Sequence, residues 1–336
     1  MKILAFESSC DDTCASVVEE KDGELKILSN IVSSQTDIHS EYGGVVPEIA
    51  GRAHASVISA ITYTALDNAG ITINDIDLIG VTNRPGLIGS LLVGVNFAKS
   101  IAFSNGIPLV PVHHIKGHVA ANYFTEINPE PPYIALVASG GHTSLLKVDS
   151  YTDFRTIGTT RDDAIGECFD KIARVMGIPY PGGAEIDRLA SEGDKNAYAF
   201  PSAAIHDESL DFSFSGLKTH AINLIHKLEQ NKEEIPRKDV SASLTFSIIT
   251  SIEKKLEKAF DQYRYEKLVI AGGVSANTHL RKALAEYCRK KGIEFFAPEK
   301  KLCGDNAAMI GAQAFYEYET GNYGKPELNA FPSEEL

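Results

Sequence analysis

Lys2-Ile3-Leu4-Ala5-Phe6 runs into the polar turn Glu7-Ser8-Ser9-Cys10-Asp11-Asp12-Thr13 and out through Cys14-Ala15-Ser16-Val17-Val18. Tyr133-Ile134-Ala135-Leu136-Val137 repeats this form, through Ala138-Ser139-Gly140-Gly141-His142-Thr143 into Ser144-Leu145-Leu146-Lys147-Val148. Each is an apolar run, a polar turn and a second run, which reads as a hairpin. A second element is also duplicated. Asp77-Leu78-Ile79-Gly80-Val81 enters Pro85-Gly86 and an apolar helix, and Lys267-Leu268-Val269-Ile270-Ala271 enters Gly272-Gly273 and a helix through Leu280 and Leu284. A buried strand passing through a glycine turn into a helix is an α/β unit. The chain therefore reads as two copies of one α/β unit, which would face each other across a cleft.

Working outward, helical periodicity predicts helices over 48–69, 87–105, 116–123, 163–176, 183–192, 237–263 and 306–319. The prolines at 129, 131 and 132 make 126–132 a linker. The N-terminal lobe is expected over 1–131, with the helix 306–320 returning to it. The C-terminal lobe is expected over 132–304, carrying a helical insertion at about 150–235 that lacks a clear buried strand. The tail after Thr320 is expected to be loosely ordered.

The 336 residues hold 32 Lys+Arg against 45 Asp+Glu, a net charge of −13. That length suits two domains, and that charge argues against bulk electrostatic adhesion to nucleic acid while leaving room for a local basic patch. Five scattered cysteines without a C-x-x-C pair point to a reduced, cytoplasmic chain and exclude a cysteine zinc knuckle. No apolar run approaches the roughly 18 residues of a membrane span, and the apolar start is too short for a signal peptide.

His114 and His118 stand at i and i+4, one turn apart on one helix face, where both imidazoles reach a single ion. A zinc peptidase needs glutamate after the first histidine, and Ile115 cannot move a proton, so peptidase activity is not expected. Asp305 is the leading third ligand, with helix N-capping as its competing role. Two histidines and one carboxylate leave coordination positions open; iron(II) is the usual occupant, with zinc possible. The turns 139–143 and 272–277 have the glycines and helix-start positions that favour phosphate or nucleotide, or are simply tight turns. Neither matches a P-loop or a dinucleotide fingerprint. Asp162, Asp163, Glu167 and Asp170 read as complements to a helix dipole, although Asp170 and Asp187 also suit ribose hydroxyls. The segment 212–219 reads as a cleft-facing piece or an edge strand. The basic stretches at 281–282, 289–291 and 300–301 read as solvated faces.

Together these stretches resemble the TsaD family, the universal tRNA adenosine threonylcarbamoyltransferases once labelled O-sialoglycoprotein endopeptidases. The matching motifs run in order from Glu7 to about residue 310: 7–13, 85–91, 113–118, 139–143, 162–171, 180–183, 212–219, 272–277 and 305–308. Asn83-Arg84, Cys168 and Ala184 depart from the family pattern without touching a ligand position. The resemblance implies an actin/hexokinase/Hsp70-like (ASKHA) α/β fold of two RNase H-like lobes with a central cleft. It implies transfer of threonylcarbamoyl from threonylcarbamoyl-AMP to the exocyclic amine of adenosine 37 in tRNAs reading ANN codons. It also implies that His114, His118 and Asp305 bind one divalent metal ion per subunit, with Fe(2+) expected and Zn(2+) or Mg(2+) as alternatives. Val137, Ala138, Ser139, Gly140, Gly141, Asp170, Gly183, Asp187 and Asn277 would bind the adenylate. TsaB-like and TsaE-like partners are implied, with a TsaC-type enzyme upstream. The rival readings are a sugar kinase or ATPase of the same fold, and a non-catalytic subunit of the same pathway.

Overall fold

A computed structural model describes residues 1–205, 208–333 and 336. The strands are β1 (Lys2–Glu7), β2 (Asp12–Lys21), β3 (Glu24–Ser34), β4 (Leu78–Arg84), β5 (Leu109–His113), β6 (Tyr133–Ala138), β7 (Thr143–Val148), β8 (Phe154–Thr159), β9 (Lys267–Ala271) and β10 (Glu294–Phe296). The helices are α1 (Thr36–Ser40), α2 (Pro47–Asn68), α3 (Ile88–Asn105), α4 (His114–Ala120), α5 (Ile165–Val175), α6 (Gly183–Ala190), α7 (Ser215–Gln230), α8 (Arg237–Tyr263), α9 (Thr278–Lys291) and α10 (Ala307–Glu319). The chain divides into two compact units: Met1–Pro131 with Asp149–Phe154 and Lys301–Leu336, and Pro132–Val148 with Arg155–Lys300.

Among the described residues each unit holds one five-stranded sheet, ordered β3-β2-β1-β4-β5 in the first and β10-β9-β6-β7-β8 in the second. β1 pairs antiparallel with β2 and parallel with β4. β6 pairs antiparallel with β7 and parallel with β9. The second sheet thus repeats the first, element for element, and the duplicated hairpin-plus-strand pattern is its sequence trace.

In the first unit the sheet is buried on both faces, which explains the unbroken apolar run of β1. Leu4, Phe6, Val17, Ile79 and Val81 pack against α2 and α3 through Ile61, Leu91 and Val95. Ile3, Ala5, Val18, Leu78 and Val110 pack against α10 through Ala307, Met309, Ile310 and Ala314. Each large side chain so buried stabilises the fold by about 1.5–3 kcal/mol. α10 lies unusually close to the strands: a Cβ on Gly80 would meet Ala314 at 2.7 Å, and one on Gly311 would meet Val18 at 2.8 Å. This close seat holds the start of α10, where Asp305 stands.

Three expectations are corrected. Residues 154–159 form β8, an edge strand whose side chains are mostly exposed or half-buried and so carried no core signal. The segment 212–219 is not an edge strand: Phe212 makes single bridges to Thr160 and Ala204, and α7 begins at Ser215. The tail is anchored, since Gly324 N–H donates to Leu109 O (2.6 Å), Phe331 N–H to Asn83 O (2.9 Å) and Gly86 N–H to Pro332 O (3.2 Å).

Candidate functional site

β5 delivers the chain straight into α4, whose N-cap is His113, its ring nitrogen accepting from Ile115 N–H at 3.2 Å. α4 begins at His114, two residues earlier than the periodicity predicts, so both histidines lie within it. Gly117 lets α4 cross α10 closely; a Cβ there would stand 2.6 Å from Ile310 Cδ1. Across that crossing lies Asp305. The cap of α10 is Asn306, whose side chain accepts from Met309 N–H at 3.0 Å. The capping role considered for Asp305 therefore falls to its neighbour.

The Asp305 carboxylate faces both histidines. Oδ1 lies 3.2 Å from His118 Nε2 and 3.7 Å from His114 Nε2, and one donor atom from each of the three residues falls within 4.8 Å of the others. His118 is 1% exposed, and neither of its ring nitrogens makes a hydrogen bond. Buried polar atoms are normally satisfied. An imidazole left with unbonded nitrogens beside a second imidazole and a carboxylate is a donor set that fits a divalent cation.

Glu7, which the sequence reading left out of the site, completes it. Glu7 Oε2 sits 3.0 Å from His114 Nδ1 and Ser9 Oγ sits 3.2 Å from the same nitrogen. The Glu7 carboxylate also accepts from Thr82 Oγ1 (2.6 Å) and Ser9 N–H. Burial pushes Glu7 up, but His114 and these hydrogen bonds outweigh it and hold the carboxyl below its usual range. Burial lowers His114, and Glu7 and Asp305 more than offset it, pushing the imidazole up to about 9. Asp12 is pushed up to about 6 by burial, opposed by Ser34 and reinforced by Asp305, Asp11 and Glu7. So many carboxylates in one buried place favour a cation. The cysteines nearby do not join the donors: burial raises the Cys10 and Cys14 thiols far above neutrality, and Cys14 Sγ donates to Asp305 O at 3.6 Å. The signal for Glu7 was an acid at the end of an otherwise apolar strand.

The nine expected adenylate residues all fall in the second unit. Val137 and Ala138 end β6, and Ser139–Gly141 form the turn, closed by Ser139 N–H to His142 O at 2.8 Å. Gly272 has φ +87°, and a Cβ there would stand 2.4 Å from Ala138 O, so the two glycine turns abut at the carboxyl ends of parallel strands β6 and β9. Open α/β sheets bind ligands at that end. Asn277 caps α9 by accepting from Leu280 N–H at 2.8 Å. Asp187 accepts from Thr278 N–H at 2.9 Å and lies 2.7 Å from His279 Nδ1. Asp170 accepts from Gly182 N–H at 2.8 Å, beside Gly183 at the start of α6. Asp162 and Asp163 precede α5 instead of lying in it. Asp162 holds the start of α7 through Phe214 N–H (2.7 Å) and Ser215 N–H (3.1 Å), and Asp163 pairs with Lys171 and Lys218.

Two sheets repeating one order, each flanked by helices, make up the actin/hexokinase/Hsp70-like (ASKHA) fold class. HypF of T. kodakarensis superposes on the chain with TM-score 0.64 at 14% identity, covering 96% of this chain and 48% of that one. The ROK hexokinase of Thermus thermophilus does so with TM-score 0.51 at 15% identity, covering 96% of this chain and all of that one. Within the class the chain belongs to the tRNA N6-adenosine threonylcarbamoyltransferase (TsaD) family, whose family model matches residues 26–312. The tRNA N6-adenosine threonylcarbamoyltransferase of Clostridium botulinum (strain 657 / Type Ba4) is 48% identical over 336 residues, covering all of this chain and 98% of that protein.

Proposed function

We propose that this chain transfers threonylcarbamoyl from threonylcarbamoyl-AMP to the exocyclic amine of adenosine 37 in tRNAs reading ANN codons. The observation that carries the reading is membership of the family along the whole chain. The His114–His118–Asp305 cluster supports a metal-dependent reaction. The donor set suits iron(II) best, with zinc or magnesium as alternatives. A sugar kinase of the same fold would not use this buried histidine pair.

In this reading His114, His118 and Asp305 hold the ion, and Glu7 fixes the His114 ring with Nε2 toward it. A divalent ion held there would supply Lewis acidity. Ser139–Gly141 and Gly272–Gly273 present backbone N–H groups to the adenylate, while Asp170 and Asp187 accept from its hydroxyls. Holding the acyl carbon against the adenosine amine turns a bimolecular attack into an oriented one.

The family resemblance implies TsaB-like and TsaE-like partners, with a TsaC-type enzyme supplying the adenylate, and a net charge of −13, which releases few counterions from tRNA, fits assisted RNA binding. No helix among the described residues is long and apolar enough to cross a membrane. The test is transfer of labelled threonine to tRNA by the purified chain, with and without the partner proteins. Incorporation dependent on the chain and abolished by His118→Ala supports the reading, and its absence under all conditions rejects it.

A further inference from the structure

The net charge hides a division. The first unit carries 9 Lys+Arg against 23 Asp+Glu, a net of −14, whereas the second carries 23 against 22, a net of +1. A polyanion is therefore repelled by one unit and not by the other. Within the second unit the positive charge is concentrated on α9, which has Arg281, Lys282, Arg289, Lys290 and Lys291 against Glu286 alone.

The structure separates these five by task. The Arg281 guanidinium is committed inward, donating to the Ser275 and Pro298 carbonyls at 2.5 Å each, and so braces the turn that presents Asn277. Lys282, Arg289, Lys290 and Lys291 are exposed. Positions 282, 286, 289 and 290 recur at i, i+4, i+7 and i+8, which puts them in one stripe about 12 Å long. Its ion pairs are Lys290–Glu286 (2.8 Å) and, beside the stripe, Lys291–Glu257 (2.7 Å), with side chains about half exposed. Exposed pairs of this kind are weak and exchange readily for a phosphate. The stripe also starts at the right place, because α9 opens at Asn277, one of the proposed adenylate residues.

We propose that the Lys282–Arg289–Lys290 stripe of α9 is the surface on which the tRNA phosphate backbone docks, beside the proposed adenylate site. The inference rests on tRNA being the substrate. The stripe positions the RNA by charge and reads no base.

The test is the triple variant Lys282→Glu/Arg289→Glu/Lys290→Glu of the full chain, with Lys195→Glu/Lys227→Glu/Lys232→Glu, exposed positions outside α9, as the charge-matched control. Labelled-threonine transfer with partner proteins gives KM for tRNA and kcat, and filter binding between about 50 and 200 mM salt gives the slope of log affinity on log salt. KM should rise at least tenfold with kcat at saturating tRNA kept, and the slope should fall by about 2–3, one for each lost phosphate contact. The control should match wild type. An unchanged slope and KM in the triple variant, or an equal loss in the control, overturns the docking surface. Absence of transfer in wild type rejects the proposed function instead, so the two failures are distinguishable.

Discussion

Glu7 Oε2 lies 3.0 Å from His114 Nδ1, joining residues 107 positions apart in the sequence. The carboxylate can only accept, so Nδ1 carries the hydrogen and Nε2 is turned toward Asp305 and His118. This carboxylate–imidazole contact is the kind that orients a metal-binding histidine and raises its basicity.

Glu7→Gln should therefore weaken metal retention by about 10–100-fold, since the amide keeps the contact and loses the charge. Competition against a chelator, with metal read by mass spectrometry, gives the number. Retention equal to wild type would show that Glu7 is only a satisfied core polar group.

Asp305 and Asn306 should separate by phenotype. Asp305→Ala should lose metal and leave the melting temperature within a few degrees, because the helix cap belongs to Asn306. Asn306→Ala should cost about 1 kcal/mol of stability and keep the metal. The assignment fails if the two variants exchange these results.

The histidine pair was legible because its spacing is local and helical, and the duplicated fold because each buried strand is an unbroken apolar run. Glu7 escaped because its role depends on a partner brought in by β5 from 107 residues away. β8 and α7 escaped for local reasons. β8 lies at a sheet edge, where Arg155, Thr156 and Thr159 are exposed, and α7 is preceded by Phe212-Ser213-Phe214, an alternation that reads as strand. The tail was misread because its anchors are backbone hydrogen bonds and the isolated apolar residues Leu328 and Ala330, which form no periodic pattern.

Acid should loosen α7 through Asp162 and Asp163. Burial raises both, yet Ser213, Ser215 and backbone N–H groups bring Asp162 below the usual carboxylate range, and Lys171 and Lys218 do the same for Asp163. A depressed folded pKa contributes stability that is fully present above the unfolded value of about 4 and is lost as pH falls through the folded one. Asp163→Asn should accordingly be less stable than wild type at pH 7, and the two melting curves should converge below about pH 4. Parallel curves across that range would show that Asp163 contributes nothing through its charge.

Ending the chain after Leu328 removes three hydrogen bonds to the 83–86 segment: Phe331 N–H to Asn83 O, Gly86 N–H to Pro332 O, and Asn83 Nδ2 to Asn329 O at 3.3 Å. It also uncovers the core around Ala330, which is 5% exposed. At about 1 kcal/mol per bond and about 2–4 °C per kcal/mol, the melting temperature should fall by roughly 6–12 °C. Amide exchange should speed up at Gly86 and stay unchanged in β6 and β9. A truncated chain that melts with wild type would mean the tail is merely resting on the surface.

The sharpest test of the nucleotide-facing turns is Gly272→Ala. Gly272 has φ +87°, and its added Cβ would meet Ala138 O at 2.4 Å and Ala138 C at 2.7 Å, both backbone atoms that cannot rotate away. The end of β6 and the turn after β9 must then move apart, carrying Ser139–Gly141 away from Asn277. The strain should cost about 2–4 kcal/mol in urea unfolding. Gly273→Ala is the control, because its Cβ meets nothing within 4 Å; it should stay within about 0.5 kcal/mol. Calorimetric titration with AMP should then show at least a tenfold weaker affinity for Gly272→Ala and none of that loss for Gly273→Ala. If Gly272→Ala destabilises the chain but AMP binds it as tightly as wild type, the abutting glycine turns hold the fold and have no part in the nucleotide site.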